Sequence, residues 1–267
     1  TPIGNLKDFS FRGVSILEEV DFVLAENTKK TKFLLDRYGI KNKIVLFNDF
    51  STNKKVQSLV YSISRGKNVA LVSDAGTPLI SDPGTNLVQA AIKKQIKIVP
   101  VPGASSLISA LVASGLSADK FIFYGFLPKK TSELRKLFEN VKFETKTQIF
   151  FESPKRIKKT LSIIQEDFNS NQKIVIAREL TKMYEEFYRG KVSNLSEIIL
   201  NTSNKIDKGE LVILIEGANE KYEIDYHLEE ILFKELKPLL TLRQISKIIA
   251  KISSKNSKEI YNFFLKK

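Results

Sequence analysis

Residues 69–84 read VALVSDAGTPLISDPG, and this stretch decides the architecture. Val69, Ala70, Leu71 and Val72 are four apolar residues in a row, the pattern of a strand buried on both faces. The chemistry then changes within one residue. Ser73-Asp74-Ala75-Gly76-Thr77-Pro78 and Ser81-Asp82-Pro83-Gly84 are two acidic turn units, with Leu79 and Ile80 between them. Gly and Pro at this density mark a loop. In an open α/β sheet, ligands sit at the loops leaving the carboxyl ends of strands. Gly76 lets backbone come close to a ligand, and Asp74 offers a carboxylate to a hydroxyl or a cation. Read as ordinary structure, Asp82 caps the next helix with Pro83 in its first turn. That reading leaves the first unit unexplained.

Outward from this loop, strand and helix patterns alternate. Helical spacing covers residues 12–20, 28–38, 53–65, 86–94 and 107–113, and strand patterns cover 22–25, 43–47 and 97–101. Further on, strands are expected at 121–125, 148–151, 174–177 and 211–215, with helices at 132–139 and from Arg156. Residues 185–190 are expected to pair antiparallel nearby. Such alternation means βαβ units and a mostly parallel sheet. Three domains are expected: an N-terminal α/β domain over 1–115, a second α/β domain over 116–219, and a helical module over 220–267.

Composition narrows the chemistry. The 267 residues contain no Cys, which removes disulfides and thiolates and suits a reducing cytoplasm. The one His, His227, makes a His-rich metal site or a Ser-His-Asp triad improbable, so no metal is expected. His227 itself reads as structural or surface. No apolar run approaches a membrane span. Neither G-x-G-x-x-G nor G-x-x-x-x-G-K-[ST] occurs. A net charge of +13 favours a polyanionic partner. The loops with ligand chemistry come from several strand ends: residues 1–6, 74–84, 102–106, 151–154, 177–182 and 208–210. That distribution points to a cleft gripping a medium-sized ligand from two sides.

TPIGNL at the start, SDAGTPLISDPG, VPGASS, GFLPKK (125–130), ESPKR (152–156), ARELTK (177–182), EEFYRG (185–190) and KGE (208–210) together resemble the tetrapyrrole-methylase superfamily. Within it they resemble most the ribosomal RNA small subunit methyltransferase I branch. The resemblance implies two α/β domains with S-adenosylmethionine in the cleft between them, usually in a homodimer. The activity it implies is 2′-O-methylation of a decoding-site cytidine in 16S rRNA, on the assembled small subunit, with no membrane or DNA involved. Two readings stand beside it: a small-molecule, tetrapyrrole-type methylase of the same fold, and a non-catalytic rRNA-binding assembly factor. The family begins with an apolar strand feeding T-P-I-G-N, whereas here Thr1 is the first residue. The family's A-E-D-T-R and H-N-E appear as Ala25-Glu26-Asn27-Thr28-Lys29 and Phe47-Asn48-Asp49.

The resemblance assigns Thr77, Ile80, Ser105, Ser106, Phe151, Ala177 and Gly209 to the cofactor, together with Ile3, Gly4 and Gly103 of the same motifs. Asp74 and Gly76 join them on chemical grounds. As ordinary structure, each Gly or Ser is a turn or cap, and Ile80 and Phe151 are core. The 2′-hydroxyl is a weak acid and benefits from a base or a cation. Glu26, Glu152, Glu179 and Asp82 are candidates for the first role, and Lys182, Arg156 or Arg178 for the second. Arg156, Arg178 and Arg189 suit phosphate clamps, or else ion pairs with neighbouring Glu. In the tail, Thr241-x-x-Gln244 has capping-box spacing. Leu242, Ile245, Ile249 and Ile252 form an apolar stripe, and Arg243, Lys247, Lys251 and Lys255 form a basic one. A second helix is expected from Asn256. The pair resembles a helix-turn-helix with a phosphate-gripping face, or a merely solvated one.

Overall fold

The computed structural model describes residues 1–201, 205–218, 227–253 and 256–265. The chain divides into two compact units, Thr1–Ala218 and Asn219–Lys267. The first unit is built on two sheets and is α/β throughout.

Its first sheet has strands β1 (Phe22–Ala25), β2 (Ile44–Leu46) and β3 (Val69–Val72) in the order β2-β1-β3, all parallel. Side chains alternate between faces, as a pleated strand requires. Val23, Ala25 and Val72 pack with Leu17 of α1 (Phe11–Glu19) and Leu35 of α2 (Thr28–Arg37). Leu24 faces the other way, towards Val56 and Val60 of α3 (Asn53–Ser64) and Leu87 of α4 (Thr85–Lys93). Local chemistry fixes the helix starts. Ser10, Asn27 and Thr52 each accept a backbone N–H at the N-cap. Asn27 does so without bringing a charge to the start of α2.

Two expectations fail in this sheet. β3 lies at an edge, and only Val72 of its four residues is fully buried. Residues 97–101 form no strand, and Ile98, Val99 and Val101 stay exposed. A strand is defined by its ladder, and none of the described residues pairs with this segment.

The second sheet has β4 (Phe121–Phe126), β5 (Thr147–Glu152), β6 (Lys173–Arg178), β7 (Glu186–Lys191) and β8 (Leu211–Ile215) in the order β4-β5-β8-β6-β7. Only β4 and β5 are parallel; the last strand inserts antiparallel between β5 and β6. The sheet is therefore mixed rather than mostly parallel, because β8, which follows α8 (Leu195–Asn201), runs antiparallel to both its neighbours. One face packs Phe150, Ile174, Ile176 and Ile213 against α6 (Thr131–Val141) and α7 (Ile157–Asp167). The other packs Val175, Ala177, Val212 and Leu214 against α5 (Ser106–Ser114). Thus α5 belongs to the first half in sequence but covers the second sheet.

The second unit has three helices among its described residues: α9 (His227–Leu236), α10 (Leu242–Ser253) and α11 (Ser257–Leu265). Ile245, Ile249, Ile260 and Phe264 form its core, and Phe233 stacks on Phe264 with ring centroids 4.1 Å apart. The Gln244 side chain accepts from the Thr241 N–H at 3.0 Å, and Asn256 caps α11 through the Lys258 N–H. The Glu259 side chain, Lys255 and the side chain of His227 lie outside the described residues. Ile252 departs from the expected burial: it shares the helix face of Ile245 and Ile249 but lies in the last turn of α10 and is 56% exposed. No described helix is long and apolar enough to cross a membrane.

Candidate active site

The site grows from the loop that follows β3. Gly76 has φ +82° and its N–H donates to the carbonyls of Thr1 and Pro2. A methyl group at Gly76 would stand 3.3 Å from Ile3 Cγ2, so only Gly fits this approach comfortably. Thr77 donates its hydroxyl to the Ala104 carbonyl at 3.1 Å, which ties the loop to the start of α5. Leu79 and Ser81 both hold positive φ without being Gly. Such backbone is costly and persists where the surroundings enforce it. These turns delay the helix to Thr85, with Gly84 at the N-cap. Asp82 therefore caps nothing, contrary to the ordinary reading of the sequence, and its carboxylate is left for other work.

That carboxylate stands in an acidic group with Glu26, Asp49 and Asp74. Burial first, then the charge of Glu26, raises the Asp82 pKa to about 6, while Ser73 pulls the other way. Glu26, which leaves β1, is also raised, by burial and then by Asp74 and Asp49, although it accepts the Asp74 N–H. Asp74 pairs with Lys30 through one oxygen at 2.7 Å, and its other oxygen is buried without a hydrogen bond. Among the described residues no His, Cys, Asp and Glu cluster suits a metal.

Residues 1–6 bridge the two sheets. Ile3 is buried beside Ala177 and Leu180, and the Asn5 N–H donates to Thr181 Oγ1 at 3.0 Å. A methyl group at Gly4 would stand 2.5 Å from Lys182 Cγ, so Gly4 makes room for the lysine stem. The ammonium of Lys182 sits between Glu179 at 2.9 Å and Glu210 at 3.1 Å. Burial opposes the charge on both Glu179 and Lys182, yet their mutual hydrogen bond prevails: the Glu179 pKa is lowered and the Lys182 pKa raised. Glu179 and Thr181 also hold positive φ. Gly209 leaves space for Glu179, whose Cγ would lie 2.5 Å from a methyl group there.

Ser105 and Ser106 open α5. Ser105 is extended and makes no side-chain cap bond, so the first N–H groups of this helix lack that partner. Gly103 has nothing within 4 Å of where a Cβ would go. Phe151 packs edge-on against Phe123 and Phe126, whereas Ala177 is fully buried beneath. Ile80 is 40% exposed at the loop's rim.

Glu152 is on the α7 side of the second sheet, where one oxygen pairs with Arg156 at 2.5 Å and the other accepts from Thr160 at 2.6 Å. The three arginines read as phosphate clamps or ion-pair partners all reach main-chain oxygens, and Arg156 and Arg178 also pair with Glu152 and Glu186. Arg156 reaches Leu127, Arg178 reaches Lys208 and Tyr184, and Arg189 reaches Ala113 and Ser114. In the second unit Arg243, Lys247 and Lys251 are exposed on α10, and Lys247, Lys251 and Ser257 line a hollow of about 390 Å³. Lys255 lies outside the described residues. Asp49 of the acidic group and its counter-charge Lys30 are what sequence reasoning missed. The only signal was their position just beyond β2 and within the helix after β1.

The family profile described as Tetrapyrrole (Corrin/Porphyrin) Methylases matches residues 1–196. A protein named Ribosomal RNA small subunit methyltransferase I from Streptococcus pyogenes serotype M3 is 41% identical over 99% of this chain and 92% of its own length. One of the same name from Buchnera aphidicola is 38% identical over 100% and 95%. The crystal structure of diphthine synthase aligns with TM-score 0.59 at 15% identity, over 81% of this chain and 87% of that one.

Proposed function

The chain belongs to the tetrapyrrole methylase family, in its ribosomal RNA small subunit methyltransferase I branch, and from that premise we propose that it methylates the ribose 2′-oxygen of a cytidine in the decoding region of 16S rRNA. The cofactor of the proposal is S-adenosylmethionine, and the setting is a cytoplasmic homodimer acting on the small subunit.

The observation that carries this reading is the convergence of strand-end loops on an acidic group beside an uncapped helix start. The residues fit the cofactor chemically. The unpaired oxygen of Asp74 and the neighbouring carboxylates suit a group bearing cationic centres. The open N–H groups at Ser105–Ser106 suit a carboxylate. Gly76 and Gly103 leave room for close approach, with Thr77, Ile80, Ile3 and Phe151 around them, and Gly4, Ala177 and Gly209 shape the loops behind. When bound, S-adenosylmethionine supplies an activated methyl group, so alignment provides much of the acceleration.

The chain's own part is to orient the ribose and to take its proton. Asp82 is the proposed acceptor: its carboxylate would take the proton of the ribose 2′-hydroxyl, readying that oxygen for the methyl group the cofactor would supply as its sulfonium becomes a neutral thioether. A carboxylate with pKa about 6 is ionised at neutral pH and is a stronger base than an ordinary Asp. Glu26 beside it helps keep that affinity high. Glu179 and Lys182 hold the loop after β6, and Glu152 with Arg156 holds the start of α7. These are positioning roles. The lysines of α10, with Arg243, are proposed to add phosphate affinity.

The test is transfer of a radiolabelled methyl group to small subunits from cells lacking the enzyme. Label should appear in 16S rRNA at a single alkali-resistant linkage, the mark of a methylated 2′-oxygen. Transfer to a tetrapyrrole instead, or cofactor binding without any transfer, would overturn the proposal.

A further inference from the structure

Phe50 is 91% exposed, yet it does not sit on a loose loop. Its turn follows β2, whose end is pinned by Phe47: that ring is buried and its N–H donates to the Ala25 carbonyl at 2.7 Å. Asn48 then folds the chain back. Its side-chain oxygen accepts the Phe50 N–H at 3.2 Å, its carbonyl accepts the Ser51 N–H at 2.9 Å, and its own N–H donates to Ser51 Oγ at 3.0 Å. Thr52 caps α3 immediately afterwards. A hydrogen-bonded turn thus holds a benzyl ring out in water, where Ser or Asn would serve the turn equally well.

The position matters more than the exposure. β2 runs parallel to β1, so this turn emerges at the same end as Glu26. The residue beside the ring, Asp49, is close enough to Glu26 and to Asp82 to raise both their pKa values. The turn that carries this exposed ring therefore adjoins the acidic group proposed to take the proton. A ribose hydroxyl can reach half-buried carboxylates only if its nucleotide leaves the stack of its neighbours. The freed base then needs a new surface, and unstacked bases commonly lie on aromatic side chains.

Resting on the proposed rRNA methylation, we propose that Phe50 is the stacking platform for the base of the target nucleotide. Its ring takes the face of the base while the attached ribose points towards Asp82 and Glu26. Stacking tolerates any base, so Phe50 selects an unpaired nucleotide rather than a particular letter.

The experiment compares Phe50→Trp, Phe50→Leu and Phe50→Ala in steady-state methyl transfer to small subunits purified from cells lacking the modification. Cofactor affinity measured by calorimetry and oligomeric state measured by sedimentation accompany each variant. The exposed position makes all three fold. Leu and Ala are expected to lose roughly five- to a hundredfold in kcat/KM, with unchanged cofactor affinity, while Trp stays near wild type. Leu matching wild type, or Trp failing as badly as Ala, would overturn the inference. So would a change of oligomeric state with a flat aromatic series, since the ring would then be a protein contact. If the wild-type protein labels no subunits at all, the parent reading falls, and this inference falls with it.

Discussion

Replacing Asp82 with Asn removes one charge from the acidic group while keeping an oxygen to face Ser73. Folding holds this carboxyl at a pKa of about 6 instead of the ordinary 3.8, chiefly through burial and then the charge of Glu26. The protonated form is the one the fold prefers. Below pH 3.8 the group is protonated whether folded or not, and no penalty exists. As pH climbs from about 4 through about 6 the folded protein is forced to ionise it, and stability falls. At 1.36 kcal/mol per pH unit the ceiling is ~3 kcal/mol. The group is half-buried, so screening by water cuts this to about 1–2 kcal/mol. Asp82→Asn should therefore raise the melting temperature by roughly 2–8 °C at pH 8, at about 2–4 °C per kcal/mol for a domain of this size. At pH 4 the gain should nearly vanish. Calorimetry at both pH values decides it. The same variant should lose two to four decades of methyl transfer, and the wild-type rate should rise with pH through about 6. A variant no more stable than wild type at pH 8, or equally stabilised at both pH values, would refute the electrostatic reasoning.

Three further outcomes are expected. Gly76→Val puts a branched side chain at φ +82° against Ile3; S-adenosylmethionine titration should show at least a tenfold loss, on the order of 1–3 kcal/mol of strain and crowding, and unchanged affinity in a folded variant would remove Gly76 from the site. Arg178→Ala leaves the Lys208 and Tyr184 carbonyls and Glu186 without their shared donor. It should cost about 2–4 kcal/mol in urea unfolding, with Lys a poor substitute because it lacks the fork; a loss under about 1 kcal/mol would count against that clamp. Lys247→Glu with Lys251→Glu should leave cofactor affinity unchanged and flatten the salt dependence of subunit binding by about one unit of slope per lost phosphate contact. An unaltered slope would mean that the α10 face is only solvated.

The parts of this molecule legible in its sequence were those written locally. The α/β alternation, the loop after β3 and the caps at Asn256 and Thr241 depend on neighbours a few residues away. What stayed illegible was set by distant partners. Nothing in Leu211–Ile215 announces that it will run antiparallel between β5 and β6. Residues 97–101 carry a strand pattern, but a pattern cannot supply a ladder. Asp82-Pro83 has the letters of a helix start, and two left-handed residues upstream displace that start to Thr85. The arginines stayed open for a similar reason: a guanidinium near the right motif serves a phosphate, a carboxylate or a carbonyl equally well, and only the fold shows its partners.

That choice leaves the chain with an unusual outer coat. Only eight of its 43 basic residues are arginine, and Arg156 and Arg178 are turned inward on carbonyls, so the charge offered outward is overwhelmingly ammonium. An ammonium meets a phosphate as a point charge with no preferred angle, whereas a guanidinium fixes its partner in a plane. Such a surface would draw a polyanion quickly from many directions and let it slide, without setting its register. Orientation must then come from a few rigid, uncharged contacts at the strand-end loops, which would make arrival sensitive to ionic strength and the final alignment largely indifferent to it.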